Sequence, residues 1–142
     1  MNEQESQAFL AEPRVGVLTV ASDDARPPLA VPIWYHYEPG GDVTFFTGTQ
    51  GRRARKTRLI ERHGVVSLCV QRPEMPYKYV TVEGTITAID RTPSADQVLA
   101  IVRRYLPEEY AQGFARAELG AASETFVLFT IRPDRWLGAA LG

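Results

Sequence analysis

The chain predicts an α+β fold, a small and mainly antiparallel β-barrel with helices at its periphery, from three observations. Segments of strand character outnumber helical ones and follow each other on short turns. The longest of them, Tyr77–Asp90, alternates cleanly and carries Gly84 at its middle, where a sheet can bulge or bend into a barrel. Helical periodicity is confined to one early arginine-rich segment and one later pair, so helices flank the sheet instead of alternating with its strands.

Taken in order, Gln4 to Glu12 reads as a short helix that carries Phe9 and Leu10 to the core and ends at Pro13. Val15 to Ser22 is a strand, and Asp23-Asp24-Ala25-Arg26-Pro27-Pro28 is a turn. Leu29 to Glu38 is the second strand. Its Pro32 has no N–H to give a ladder, which implies an edge, a bulge or a ligand-facing stretch. Pro39-Gly40-Gly41-Asp42 turns the chain into a third strand, 43–47, and the three strands read as an antiparallel meander.

A helix follows from about Gly51 to Arg62, with Leu59 and Ile60 buried and His63-Gly64 as its stop. Val65 to Gln71 is a fourth strand, with Cys69 as a small core residue. Tyr77 to Asp90 is the long strand. Ser94 and Gln97 have capping-box spacing for the next helix, and Thr92 with Pro93 is the rival start. An apolar face of Val98, Leu99, Ile101, Val102 and Tyr105 continues to about Leu106. Pro107 interrupts, a short helix spans Glu108 to Ala117, and a last strand runs from Thr125 to Arg132, ended by Pro133. No repeat, linker or low-complexity segment divides the chain, so residues 1–142 read as one domain.

The 142 residues can bury a core, and 44% hydrophobic with 23% charged residues is ordinary for a soluble globular protein. A net charge of −1 provides no global attraction for nucleic acid or an anionic membrane. A single cysteine excludes an internal disulfide and a cysteine-based zinc site, and the polar, acidic start has no signal-peptide character. A cytoplasmic protein is therefore expected.

Against this balanced background the stretch from Asp42 to Lys56 stands out. A strand passes through Gly48 and Gly51 into a helix start carrying Arg52, Arg53, Arg55 and Lys56. Cations near a helix N-terminus oppose its dipole at a cost of about 0.3–1 kcal/mol each when exposed. Their crowding there fits an anion, held by free backbone N–H groups and long basic side chains, and a solvated basic face is the other reading. Elsewhere the chain offers aromatic density and no catalytic constellation. His36 and His63 have no metal-ligand neighbours, and the serines lack nucleophile-elbow context. No acid–base or nucleophilic residue is assigned. A phosphate for the basic helix and a flat ring for the aromatic and strand surfaces suggest a cofactor that brings its own reactivity.

At these residues the sequence resembles a known family. Pro32-Ile-Trp-Tyr-His-Tyr, then Phe45-Phe-Thr, Lys56 shortly before Leu59, Val66-Ser67-Leu68 and Tyr79-Val-Thr-Val-Glu-Gly84 are similar in order and spacing to the pyridoxamine 5'-phosphate oxidase-like split β-barrels, from about residue 8 to 138. The resemblance implies an oxidoreductase that uses FMN or coenzyme F-420 on a small conjugated substrate, and a homodimer with its sites at the subunit interface. It implies that Lys56 binds the cofactor phosphate, with Thr47, Thr49, Arg52, Arg53 or Arg55 completing the pocket. Pro32, Ile33 and Trp34 lie along the ring system. The resemblance further implies that Tyr77 and Tyr79 reach the site from the other subunit and that Trp136 packs near the ring. The chain lacks the C-terminal Arg-x-His type ending of the vitamin B6 oxidases, so a different substrate is expected. The alternatives are a non-catalytic flavin- or haem-binding barrel, with His36 as haem ligand, and a nucleic-acid-binding barrel, against which the neutral net charge weighs.

Overall fold

The computed structural model describes residues 1–48, 54–119 and 126–141. Among these, β1 (Gly16–Val20), β2 (Leu29–Ile33), β3 (Tyr35–His36), β4 (Val43–Gly48), β5 (Val65–Arg72), β6 (Tyr77–Asp90) and β7 (Phe126–Leu141) form one seven-stranded antiparallel sheet in the order β2-β1-β5-β6-β7-β4-β3. Its helices are α1 (Glu3–Ala11), α2 (Arg55–His63), α3 (Ala95–Val102) and α4 (Glu108–Phe114), the last running into a π-helical stretch, Ala115–Leu119.

The sheet is an open barrel, and its topology says why. β2 and β3 lie at opposite ends of the strand order, yet only Trp34 separates them along the chain. The sheet must curl until its edges meet at that residue, where a seam is left with no ladder across it. The segment read as one strand over 29–38 is therefore two. β2 pairs with β1 and β3 pairs with β4, so the expected three-strand meander does not form. Pro32 sits opposite Val17 in an edge strand, where its missing donor breaks no ladder.

The curl is made in the β6–β7 hairpin. The pairing slips between Glu83 and Gly84, so that Glu83 faces Arg135 while Gly84 faces Pro133, and it slips again between Ile86 and Ala88. A Cβ at Gly84 would lie 2.4 Å from Ile131 Cγ2 and 2.6 Å from the Arg132 carbonyl oxygen, which only glycine avoids. The last strand does not end at Arg132 as expected. Pro133 falls on this bulge, where its lack of an N–H is harmless, and the strand continues to Leu141. Thr125, its expected first residue, lies outside the described residues.

Inside the curl, Phe45 stacks on Phe129 at 5.0 Å, among fully buried Leu18, Leu68 and Val80. α1 closes one end with Phe9 and Leu10, its start capped by Asn2, whose Oδ1 accepts from Glu5 N–H at 2.7 Å. The Tyr35 hydroxyl is buried and donates to the Leu10 carbonyl at 2.7 Å. Cys69 is half-buried on the outer face opposite Val17 and Thr81, not in the core. The capping box of α3 is Ser94 with Gln97, at 3.2 and 2.9 Å, which decides against Thr92. α3 stops at Val102 instead of Leu106. Residues 103–106 coil into turns that send Arg104 and Tyr105 back to the seam, where the Tyr35 backbone binds both.

Candidate functional site

A cavity of about 310 Å³ opens beside the seam. Val15 and the end of β2, with Pro32 and Ile33, line one side, and Trp34 lines the seam itself. Phe46, Thr47 and Gly48 come from the end of β4, Lys56 from the first turn of α2, and Phe114 from the end of α4. Of the expected cofactor-binding residues, the fold thus gathers Lys56, Thr47, Pro32, Ile33 and Trp34 around one space.

The cationic corner has a physical signature. α2 starts at Ala54, which offers no side-chain cap, and its first turn contains no acidic residue to satisfy the exposed N–H groups or the dipole. Lys56 is half-buried, and burial lowers its ammonium pKa from the ordinary value. No carboxylate among the described residues pairs with it. The Thr47 side chain is buried, and among the described residues its hydroxyl makes only a 3.3 Å contact to the Gly48 carbonyl. In the same helical turn the Thr57 hydroxyl is buried without a partner among the described residues. An uncapped helix start, an unpaired half-buried cation and a nearly idle hydroxyl together suit an anion.

Trp34 is held by α3's trailing turn. Tyr105 stacks on it at 5.1 Å with the rings 6° apart. The Tyr105 hydroxyl donates to the Arg14 carbonyl at 2.8 Å and accepts from Tyr35 N–H at 3.2 Å, and burial raises its pKa, so it stays a neutral donor. With its position fixed this way, the indole forms a rigid apolar wall. Phe46, Phe114 and Phe126 form a three-ring cluster beside it, with centroids 5.3 to 6.2 Å apart.

The remaining expected residues lie elsewhere. Arg55 donates to Ser22 Oγ at 2.5 Å and ties α2 to the β1–β2 turn, where His63 and Arg62 both reach Asp23. Thr49, Arg52 and Arg53 lie outside the described residues. Tyr77 and Tyr79, with centroids 6.1 Å apart, stand at the far end of β6 and do not line this chain's cavity. Trp136 packs on Tyr37 at 5.8 Å and lines a different hollow beside α1. His36 lies on β3 with Nε2 4.0 Å from Glu38 and outside the cavity lining. A larger hollow of about 410 Å³ on the outer sheet face is lined by Thr19, Ser67, Glu83 and Asp134. The Asp134 carboxylate there already accepts from Thr85 at 2.6 Å and Arg132 at 2.9 Å.

Val15 and Phe114 line the cavity without having been singled out, and Phe46 and Gly48 without having been assigned to the cofactor. Phe46 was within reach of strand alternation, since it faces opposite to buried Phe45. Phe114 was not, because only the packing of α4 brings it there.

Fold and cavity together define a split-barrel protein whose seam pocket carries one cationic side chain, Lys56, among its described lining residues. The chain belongs to the pyridoxamine 5'-phosphate oxidase family, whose profile matches residues 3–139. Solved structures share the fold. An F420 reductase is 24% identical over 92% of this chain and 94% of its own, with a TM-score of 0.73. A conserved hypothetical protein from Mycobacterium tuberculosis is 20% identical over 99% and 85%, also at 0.73. A FAD-binding protein from Mesorhizobium loti is 22% identical over 100% and 96%, at 0.67. No curated protein sequence matches the chain. No helix among the described residues is long and apolar enough to cross a membrane.

Proposed function

We propose that this protein is an oxidoreductase that binds a flavin or deazaflavin, FMN or coenzyme F-420, and serves hydride transfer to a small conjugated substrate. The observation that carries the proposal is Lys56, half-buried and without an ion-pair partner among the described residues, at the uncapped start of α2, facing a cavity otherwise lined mostly by apolar side chains. These residues fit such a cofactor. Lys56, the Thr47 hydroxyl and the free N–H groups of α2 would hold the phosphate, with Arg52 and Arg53 as further candidates. Pro32, Ile33 and Trp34 would lie along the ring. When bound, the ring supplies the hydride chemistry. The chain supplies an oriented, water-poor surface and a fixed cation near the anionic end. The family membership and the F420 reductase and FAD-binding neighbours support the reading.

A homodimer belongs to the same proposal. Pro32, Val17, Cys69, Thr81 and Leu137 are register partners, so they form one stripe across the outer face of five strands. Val17 is 44% exposed and Leu137 46% exposed, and the stripe runs into the cavity through Pro32. Tyr79 and Tyr77 lie on that same face, two and four residues along β6 from Thr81, in place to approach a partner's cavity. Titration of the purified protein with FMN and with F-420 tests the cofactor, with binding at about micromolar affinity or tighter expected for at least one. Binding of neither refutes the reading. Sedimentation of Leu137→Glu tests the dimer, with a shift to monomer expected.

A further inference from the structure

We propose that the part of the cavity walled by Phe46 and Phe114 receives the second reactant, and that this reactant is a neutral, planar, apolar molecule whose fit is set by Phe114. The proposal rests on the cofactor reading only in giving the Lys56 corner to the cofactor's phosphate.

Lys56 is the single charged side chain among the described lining residues, and Thr47 the single hydroxyl. Away from them the described wall is apolar, with Phe46 and Phe114 on one side and Val15, Pro32, Ile33 and Trp34 on the other. The polar groups behind that wall are already occupied. Arg104 donates to the Tyr35 carbonyl at 2.8 Å and to the Ala11 carbonyl at 2.7 Å, with its guanidinium 5.2 Å from the Tyr35 ring centroid. Tyr105 is engaged with Arg14 and Tyr35, and Arg103 is paired with Glu108 at 3.2 Å. Arg116, in the π-helical stretch, is exposed to solvent and outside the lining. A carboxylate or sulfonate entering beside Phe114 would lose its hydration and meet no free donor there among the described lining residues, which strongly disfavours it. A flat apolar molecule meets the aromatic surfaces of Phe46 and Phe114, and rings prefer such offset or edge contacts.

Phe114 is placed to select. It is the last residue of α4, where the helix widens into its π-helical stretch, a distortion often found at functional sites. α4 rests on the rest of the domain through Ala111, fully buried against Val98 and Val102, and through the Phe114 ring itself. Phe114 therefore covers the space from an element separate from the barrel, and its side chain can be shortened without touching the barrel core.

Two probes with one ring system test this, menadione (neutral) and a sulfonated naphthoquinone (anionic). Each is titrated calorimetrically against wild type, Phe114→Ala and Phe114→Leu. Phosphate buffer keeps the Lys56 corner occupied, and the series is run with and without saturating FMN. Menadione is expected to bind wild type at least about tenfold more tightly than the sulfonate. Phe114→Ala should weaken menadione by about fivefold or more and Phe114→Leu should recover most of that loss. Equal or tighter sulfonate binding to wild type, no menadione binding, or an unchanged menadione affinity in Phe114→Ala would each overturn the proposal. The wild-type comparison decides even if a variant folds poorly. Failure of FMN and F-420 to bind would count against the cofactor reading alone, whatever the quinones do.

Discussion

Replacing Lys56 with alanine removes the only charged side chain among the described residues lining the cavity. A hydrogen bond to a charged group contributes about 1.5–3 kcal/mol, so the dissociation constant for FMN or F-420 should rise roughly 10- to 140-fold at 1.4 kcal/mol per tenfold. The same loss is visible in stability. At a ligand concentration about 100 times the wild-type dissociation constant, the bound wild type gains about 2.7 kcal/mol. A variant tenfold weaker gains about 1.4 kcal/mol at that concentration, and one 140-fold weaker about 0.3 kcal/mol. Cofactor fluorescence gives the affinity, and denaturant melts with and without cofactor give the stability. A dissociation constant unchanged within about twofold, with the full ligand-induced gain retained, would refute the reasoning and move the phosphate away from α2.

Lys56 also predicts a pH response of the ligand-free chain. Burial lowers its folded pKa below the ordinary lysine value of 10.5, so in the window between the two values the unfolded chain holds more protons than the folded one. Stability from this group should therefore rise with pH through that alkaline window. Lys56→Met should remove the rise while leaving the ligand-free protein at least as stable at neutral pH, read from denaturant midpoints across pH. Gly84→Ala should destabilise the fold by about 1–3 kcal/mol or more, because its Cβ meets the Arg132 backbone at 2.6 Å and backbone cannot step aside. Thermal unfolding measures it, and an unchanged midpoint would mean that the bulge relaxes freely.

The strands were legible where alternation was strong. Tyr77–Asp90 has the bounds that its pattern predicts, and Gly84 marks the bulge that a glycine inside such a strand implies. Legibility failed where one local signal had two physical outcomes. Pro32 announces an edge, but not that the chain changes from one edge of the sheet to the other two residues later. Pro133 ends most strands, yet opposite Gly84 it sits on a bulge and the strand goes on. Of the cavity lining, Lys56 and Pro32 stood out as local anomalies, a cationic helix start and a proline in a strand, whereas Thr47, Ile33 and Trp34 came only from the family resemblance. Phe114 and Val15 are ordinary apolar residues in sequence. Tertiary packing alone gives them a place in the cavity.

The cavity and the incomplete closure of the barrel share one cause. A ladder between β2 and β3 would need regular edges on both sides, and neither is available. β2 contains a proline, and β3 is two residues long. Exposed backbone groups at such an edge must find other partners or invite another strand. At Tyr35 they find side chains. Its N–H donates to Tyr105 and its carbonyl accepts from Arg104, both delivered by the turns after α3. The seam is thus stabilised without being closed, and Tyr105 also fixes the ring of Trp34 against the opening. A barrel zipped shut would leave no space between the end of β2 and the end of β4, and α2 would bring Lys56 to a solid wall. In this chain the missing ladder makes the cavity possible, and the α3 turn keeps the gap from collapsing or from pairing with another strand.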